Sequence, residues 1–346
     1  MRGFDYVSAE KRLWDVETLR LIGDIREHKG RLDVYLKERA DSLKMTTESA
    51  KQRAVETACA FEGINVPKSR IKALVTKKAE PQNDSERDII GFYNAYTTVC
   101  SSFDSMPVRL RYVQQLHREL FYYARSVGGN FKKTNESITA TDTFGNEIVL
   151  FTPATPYETP GAIDEICNKY NRAETDGTAD PLLLIPLYIL DFLSIRPFEE
   201  GNERVASLLI SLLLFRADYN IGRYVSIDAL ILASRSEYFN ALRKSQIGWN
   251  EGHEDATPFI KFFLGIVRDA YIEFESKIDL FGDKLSALET VRKAAQNAKS
   301  FTKAEMQELC PTLGKTSVES SLRRLTEQGV LKRYGSGRAT NYTLAK

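Results

Sequence analysis

Two apolar stretches, Pro181 to Ile195 and Val205 to Phe215, flank the short segment Arg196-Pro197-Phe198-Glu199-Glu200-Gly201-Asn202-Glu203-Arg204. Each stretch is shorter than the ~20 residues that cross a bilayer, and the first contains Asp191, so each reads as a helix buried on most sides. A proline and a glycine between two such helices force a tight corner. That corner aims backbone N–H groups and Arg204 at one point, the arrangement that holds an anionic ligand. Glu200 adds a carboxylate of the kind a hard cation takes beside phosphates. No histidine is near in sequence. His28, His117 and His253 lie far along the chain, and nothing in their surroundings directs them to the turn.

The 346 residues, 42% of them hydrophobic, suffice for one large core and a small appendage. A net charge of +1 gives no whole-chain field that would advertise nucleic acid or membrane. The N-terminal MRGFDYVSAEKRLW lacks the apolar stretch of a signal peptide. Cys59, Cys100, Cys167 and Cys310 are scattered without paired spacing, which fits reduced, partly buried thiols and neither a disulfide framework nor a zinc site. The expectation is a cytoplasmic protein with no membrane partner.

Helical periodicity dominates. Leu13, Val16, Leu19, Leu21 and Ile25 form a stripe within residues 9 to 43. A second helix from about Thr46 to Phe61 stops at Glu62-Gly63, and others cover Ile89 to Thr98 and Val108 to Ala124. Residues 127 to 152 change character: Thr-, Ile- and Val-rich segments around Phe144-Gly145-Asn146 predict a β-hairpin. Helices resume from Ala162 to about Ala298. The last 46 residues predict helix (Thr302 to Leu309), helix (Ser317 to Gln328) and a hairpin turning at Gly335-Ser336-Gly337, an order that looks like a winged helix-turn-helix. Three regions are expected: an N-terminal helical region 1–100, a core 101–280, and a linker helix with the winged helix 281–346.

The turn resembles the signature of the Fic family, His-Pro-Phe-x-Asp/Glu-Gly-Asn-Gly-Arg-x-x-Arg. Pro197, Phe198, Glu200, Gly201, Asn202 and Arg204 match; Arg196, Glu203 and Ser207 depart from it. The resemblance implies a mainly α fold: a Fic-type helical bundle with a small β-hairpin flap, here residues 131–151. It implies the transfer of AMP from ATP to a hydroxyl of a target protein that lies along the flap. It further implies a nucleotide site at Phe198, Gly201, Asn202, Glu203, Arg204 and Ser207, with Mg2+ at Glu200. Tyr238, in Tyr238-Phe239-x-Ala241-Leu242, resembles a segment that walls the nucleotide base, or else is one of an aromatic pair packed in the core. The family's inhibitory helix, Ser/Thr-x-x-x-Glu-Gly/Asn, is matched by Glu62 and Gly63 with Ala58 at the hydroxyl position. Its usual arginine partner is missing at Ser207, which leaves Arg196 or Arg204 for Glu62.

Arg196 stands where the family has its general base. A base for a protein hydroxyl must take a proton near pH 7, and arginine cannot be deprotonated in a protein. Arg196 is therefore expected to disable catalysis while still able to hold phosphate. Glu203 replaces the glycine that lets backbone approach the phosphates, and adds a charge that can pair with Arg196. Three readings follow. The first is a nucleotide- or phosphate-binding Fic-fold regulator with impaired or absent transferase activity. The second is an active protein AMP-transferase using another base, with Glu199, Glu200 or a folded-in histidine available. The third is a scaffold without nucleotide. For the basic C-terminal unit, Lys315, Ser317, Arg323, Arg324 and Arg338 are expected DNA contacts, with Thr316, Ser320 and Ser321 beside them. Dimerisation or protein docking is the alternative use of such a unit, and a homodimer is an open possibility.

Overall fold

The computed structural model describes residues 3–345 apart from 39, 125, 126, 142–144, 279–285, 297, 299, 311, 312 and 336–339, and does not describe the side chains of 38, 40–45 and 278. In chain order the elements are α1 (Tyr6–Lys11), α2 (Val16–Glu38), α3 (Ala40–Phe61), α4 (Lys68–Val75), α5 (Asp84–Ser102), α6 (Leu110–Leu120), β1 (Ile138–Thr141), β2 (Glu147–Phe151), α7 (Thr159–Thr175), α8 (Pro181–Ile195), α9 (Asn202–Arg216), α10 (Ile227–Ala233), α11 (Arg235–Gln246) and α12 (Thr257–Ile278). They continue with α13 (Ala287–Gln296), β3 (Phe301–Thr302), α14 (Lys303–Leu309), α15 (Lys315–Glu327), β4 (Leu331–Tyr334) and β5 (Asn341–Leu344). No described helix is long and apolar enough to cross a membrane.

The chain divides into two compact units, residues 1–29 with 50–270 and residues 30–49 with 271–346. In the first, α8 packs between α7 and α9, and α9 also meets α5 and α6. Both central helices are apolar nearly all round, as buried helices must be. From Leu182 to Ile195 every side chain of α8 is buried. Asp180 starts α8 by accepting a hydrogen bond from the Leu182 N–H, and Pro181 occupies the first turn, where no donor is lost. The boundary expected at residue 100 falls inside α5, whose buried face (Ile89, Phe92, Tyr96, Val99) joins the same core.

The predicted hairpin is β1 with β2, paired antiparallel with Thr139 opposite Val149 and Ala140 opposite Ile148, and a register shift next to Ile138. Phe144, expected at its turn, lies outside the described residues.

In the second unit, α13, α14 and α15 enclose a core of Val291, Ala294, Phe301, Met306, Val318, Leu322, Leu325, Leu331 and Tyr342. A three-stranded antiparallel sheet in the order β3-β5-β4 completes it. The short strand β3 was not expected from sequence; its two residues give too little pattern to read. A Thr302–Glu305 capping box fixes the start of α14. The expected turn at Ser336-Gly337, and Arg338 beside it, lie outside the described residues.

Candidate functional site

Positive backbone angles at both ends build the corner between α8 and α9. Arg196 terminates α8 with φ 45°, and Gly201 caps α9 with φ 76°. The glycine is required twice over, because a Cβ there would also lie 2.8 Å from the Phe121 ring. Asn202 closes the turn: its Oδ1 accepts from the Phe198 N–H at 3.0 Å and its Nδ2 donates to the Phe198 carbonyl at 2.8 Å. The segment before β1 is stitched onto the same corner. The Lys132 N–H donates to the Pro197 carbonyl at 2.9 Å and its buried Nζ to the Ile195 carbonyl at 2.8 Å. Glu199 accepts from the Lys133 N–H, the Thr134 N–H and the Thr134 hydroxyl. Asn202 and Gly201 therefore have an architectural role at the corner.

Each of the two motif guanidiniums sits between two carboxylates. Arg196 Nε donates to Glu136 at 3.1 and 3.2 Å, and its Nη1 donates to Glu203 at 2.5 Å. Arg204, with 3% of its side chain exposed, receives Glu62: the Arg204 N–H donates to Glu62 Oε1 at 3.1 Å and its Nε to Oε2 at 2.5 Å. Arg204 Nη1 also lies 3.2 Å from Asp88 Oδ1, an ion pair without hydrogen-bond alignment, and its guanidinium covers the Phe121 ring. Burial pushes the Glu62 carboxyl up, against the pull of Arg204. Of the partners left open for Glu62 by the sequence, Arg204 is the one it meets. Glu62 arrives there because α3 ends at Phe61 and Gly63 turns the chain with φ 84°.

One histidine does reach the corner, contrary to what the sequence offered. His117 stacks flat on Phe198, with ring centroids 3.8 Å apart and 9° between planes. Its Nδ1 accepts the Gly129 N–H at 2.7 Å, which leaves Nε2 to carry the proton and donate to the Glu200 carbonyl at 3.1 Å. Both nitrogens are thus used, and burial pulls the imidazole down to about 4. The sequence signal was present but weak: His117 lies on the same face of α6 as the buried Val113, Leu116 and Leu120. Burial likewise pulls the Lys132 ammonium down to about 8. Hydrogen bonds from Lys133 and Thr134 hold Glu199 below the usual carboxylate range.

Beside the first turns of α9 is a small cavity of about 30 Å³, lined by Ala58, Phe61, Glu203, Ser207, Asp228 and Tyr238 among others. Ser207 is 7% exposed. Tyr238 is buried and meets Phe61 edge-on at 5.2 Å, while Phe61 stacks on Phe239 at 5.4 Å. Tyr238 therefore belongs to an aromatic cluster and also lines this cavity. Phe198 is fully buried under His117 and Phe131. Glu200 is exposed on the turn, and among the described residues no group of three or more His, Cys, Asp or Glu side chains is poised around a metal. A magnesium ion at Glu200 would take one protein carboxylate and otherwise depend on phosphate oxygens and water.

In the C-terminal unit, Lys315, Thr316, Ser320, Arg323 and Arg324 are exposed on α15 and Ser317 is half-buried. Ser321, expected on the outer face, is buried beside Leu322 and Leu325, since it falls on the inner side of the helical period. Arg323 is tied loosely to Glu327 at 3.6 Å.

The Fic/DOC family model matches residues 107–214, the segment that contains α6, the hairpin, α8 and the motif corner. The fold is similar to a Fic family protein from Desulfovibrio desulfuricans G20, with a TM-score of 0.63 and 17% identity over 96% of both chains. A Fic domain-containing signaling protein from Bacteroides thetaiotaomicron VPI-5482 gives 0.59 at 18% identity, over 72% of this chain and 94% of that one. Fic-1 from C. elegans gives 0.58 at 16% identity, over 77% of this chain and 74% of that one. At such identities the likeness speaks for the fold, and the family match for the segment that bears the motif. Residues 107–214 therefore match the Fic/DOC family, and the chain shares the fold of these Fic proteins.

Proposed function

We propose that this protein is a Fic-fold regulator with a nucleotide-binding core whose AMP-transferase activity is impaired or absent. The observation that carries the reading is Arg196 held between Glu136 and Glu203 at the position the family gives to its base. Transfer of AMP to a hydroxyl needs that proton removed as the oxygen attacks, and arginine keeps its own. The substitutes are poorly placed. His117 has both nitrogens engaged, Glu199 is bonded to the flap, and Lys132 Nζ is turned onto the Ile195 carbonyl. An incoming phosphate would have to displace two carboxylates from each motif arginine, so ATP binding is weak at neutral pH. If magnesium-bound ATP does enter, the ion supplies charge neutralisation at the phosphates, with Glu200 as its protein ligand.

The output of such a regulator is read in the C-terminal unit. Its order α13-β3-α14-α15-β4-β5 fits a winged helix-turn-helix, with α15 as the helix that would enter a DNA groove and Lys332 and Arg333 exposed on β4. A protein target lying along the flap hairpin is the corresponding partner of the core.

The test is incorporation of labelled AMP with magnesium, for the parent chain and for Arg196→His/Glu203→Gly/Glu62→Gly, with Ser207→Arg as a further addition. The parent is expected to be silent and the combined variant detectably active, since a restored base is worth ~10²–10⁴-fold. A parent chain that labels as strongly as the repaired one would overturn the reading of Arg196.

A further inference from the structure

His117 joins three parts of the core at once. It stands on α6, and its ring lies flat on Phe198 at 3.8 Å and tilts against Phe121 at 4.6 Å. Its two nitrogens reach a glycine loop and the motif turn. The loop is shaped to meet it. A Cβ at Gly128 would lie 2.7 Å from the His117 carbonyl, and Gly129 has φ 90°, so both positions need glycine for the loop to close on α6. The Gly129 N–H thereby reaches Nδ1 at 2.7 Å and fixes the ring proton on Nε2, which donates to the Glu200 carbonyl at 3.1 Å. A trans peptide points its N–H opposite to its C=O. With the Glu200 carbonyl held on the ring, the Gly201 N–H is turned away from His117, and it donates to no group among the described residues. Gly201 stands at the start of α9, where backbone donors are open to an anion.

We propose that His117 is a positioning residue of the corner: through the Glu200 carbonyl it sets the Glu200–Gly201 peptide, and with it the Gly201 N–H offered to a phosphate and the backbone that carries the Glu200 carboxylate. The identity of the ligand rests on the nucleotide-binding reading above; the geometry of the peptide does not. His117 acts through the backbone and not on the ligand.

Two substitutions separate its two hydrogen bonds. Gln places an amide nitrogen near the Nε2 position and keeps the donor to Glu200, whereas Asn places an oxygen near Nδ1 and keeps the acceptor for Gly129. Both give up the stack on Phe198, so a merely structural role makes them alike. Phe keeps the stack and loses both bonds. ATP with Mg2+ is titrated by calorimetry into the full-length Glu62→Gly chain, which removes one carboxylate from Arg204, alone and with each substitution added. His117→Asn and His117→Phe should weaken binding on the order of tenfold, and His117→Gln by less than about threefold. Without any nucleotide, amide exchange across residues 198–205 should quicken in the Asn and Phe variants more than in the Gln variant. The nitrogen NMR spectrum of the parent imidazole should show the Nε2–H tautomer. Equal losses of affinity for Gln and Asn, or an Nδ1–H tautomer in the parent, overturn the proposal. If Glu62→Gly binds no ATP, the nucleotide reading fails and exchange decides: alike in Gln and Asn overturns the role of His117, and quicker in Asn upholds it. Should His117→Phe not fold, the Gln and Asn pair and the parent tautomer decide in the same way.

Discussion

The motif corner and the outer face of α15 carry the same kind of cation to opposite ends. At the corner, Arg204 has 3% of its side chain exposed and sits between Glu62 and Asp88. On α15, Arg323 has 77% exposed and a loose pairing with an equally open Glu327. The difference follows from solvation. A buried guanidinium without partners costs several kcal/mol, so the corner has collected its carboxylates from α3, α5 and the flap. An exposed guanidinium is stabilised by water and screened by salt, so it gains little from a neighbour and stays available to an outside anion. A count of arginines therefore says less about anion binding than where the helical period places them.

The sharpest test of that contrast is stability. Arg204→Ala strands two largely buried carboxylates and should cost about 3 kcal/mol in urea unfolding. Arg323→Ala should stay within about 0.5 kcal/mol of the parent. Equal effects would break the comparison.

Next in size is a pair of opposed pH effects. His117 has its proton affinity lowered to about 4, so the stability it contributes is present above pH 6.5 and is lost as pH falls through 4, up to about 3 kcal/mol. Asp228 is raised to about 6, so its contribution is present below pH 4 and is lost as pH rises through 6, about 1–2 kcal/mol for a partly exposed group. In the parent the two partly cancel between pH 4 and 6. His117→Gln should leave a chain that gains stability on acidification over that range, and Asp228→Asn one that loses it. Melting curves at half-unit pH steps read both, and parallel profiles for the two variants would refute the assignment.

Smaller still is the flap contact. Glu136→Gln weakens a charge-assisted pair whose carboxylate is about a third exposed, so about 1 kcal/mol is expected, with faster amide exchange across residues 132–141. Unchanged exchange would mean that Glu199 and Lys132 hold the flap by themselves. Least in stability are Arg324→Ala and Lys332→Ala, within about 0.5 kcal/mol. If the C-terminal unit contacts DNA, each should lower the slope of log affinity against log salt by about 1, read by fluorescence anisotropy on duplex DNA. A salt slope that does not move would favour a protein-docking role for that unit.

Much of the corner was legible beforehand. Pro197, Gly201 and Asn202 between two apolar runs define a corner because each has one narrow conformational use, and Glu62-Gly63 marks a helix end for the same reason. The pairing of Arg196 with Glu203 was also within reach, since seven residues along one corner bring opposite charges together. What escaped was everything that arrives from elsewhere in the chain: Glu136 from the flap, Asp88 from α5, Lys132 on the Ile195 carbonyl, and His117 from α6. None of these belongs to a local pattern. His117 reads on its own as one more residue of an amphipathic helix.

The sequence by itself therefore determined the helical class, the corner and the loss of a proton acceptor at position 196, since periodicity, glycine and proline geometry and the chemistry of arginine are local properties. Only the tertiary structure decided which carboxylate faces which guanidinium, that His117 is locked as a neutral donor, and that Asp228 and Ser207 line one cavity. Those outcomes depend on side chains up to 142 residues apart, as with Glu62 and Arg204, being desolvated together. Desolvation is a property of the packed core and of no single segment.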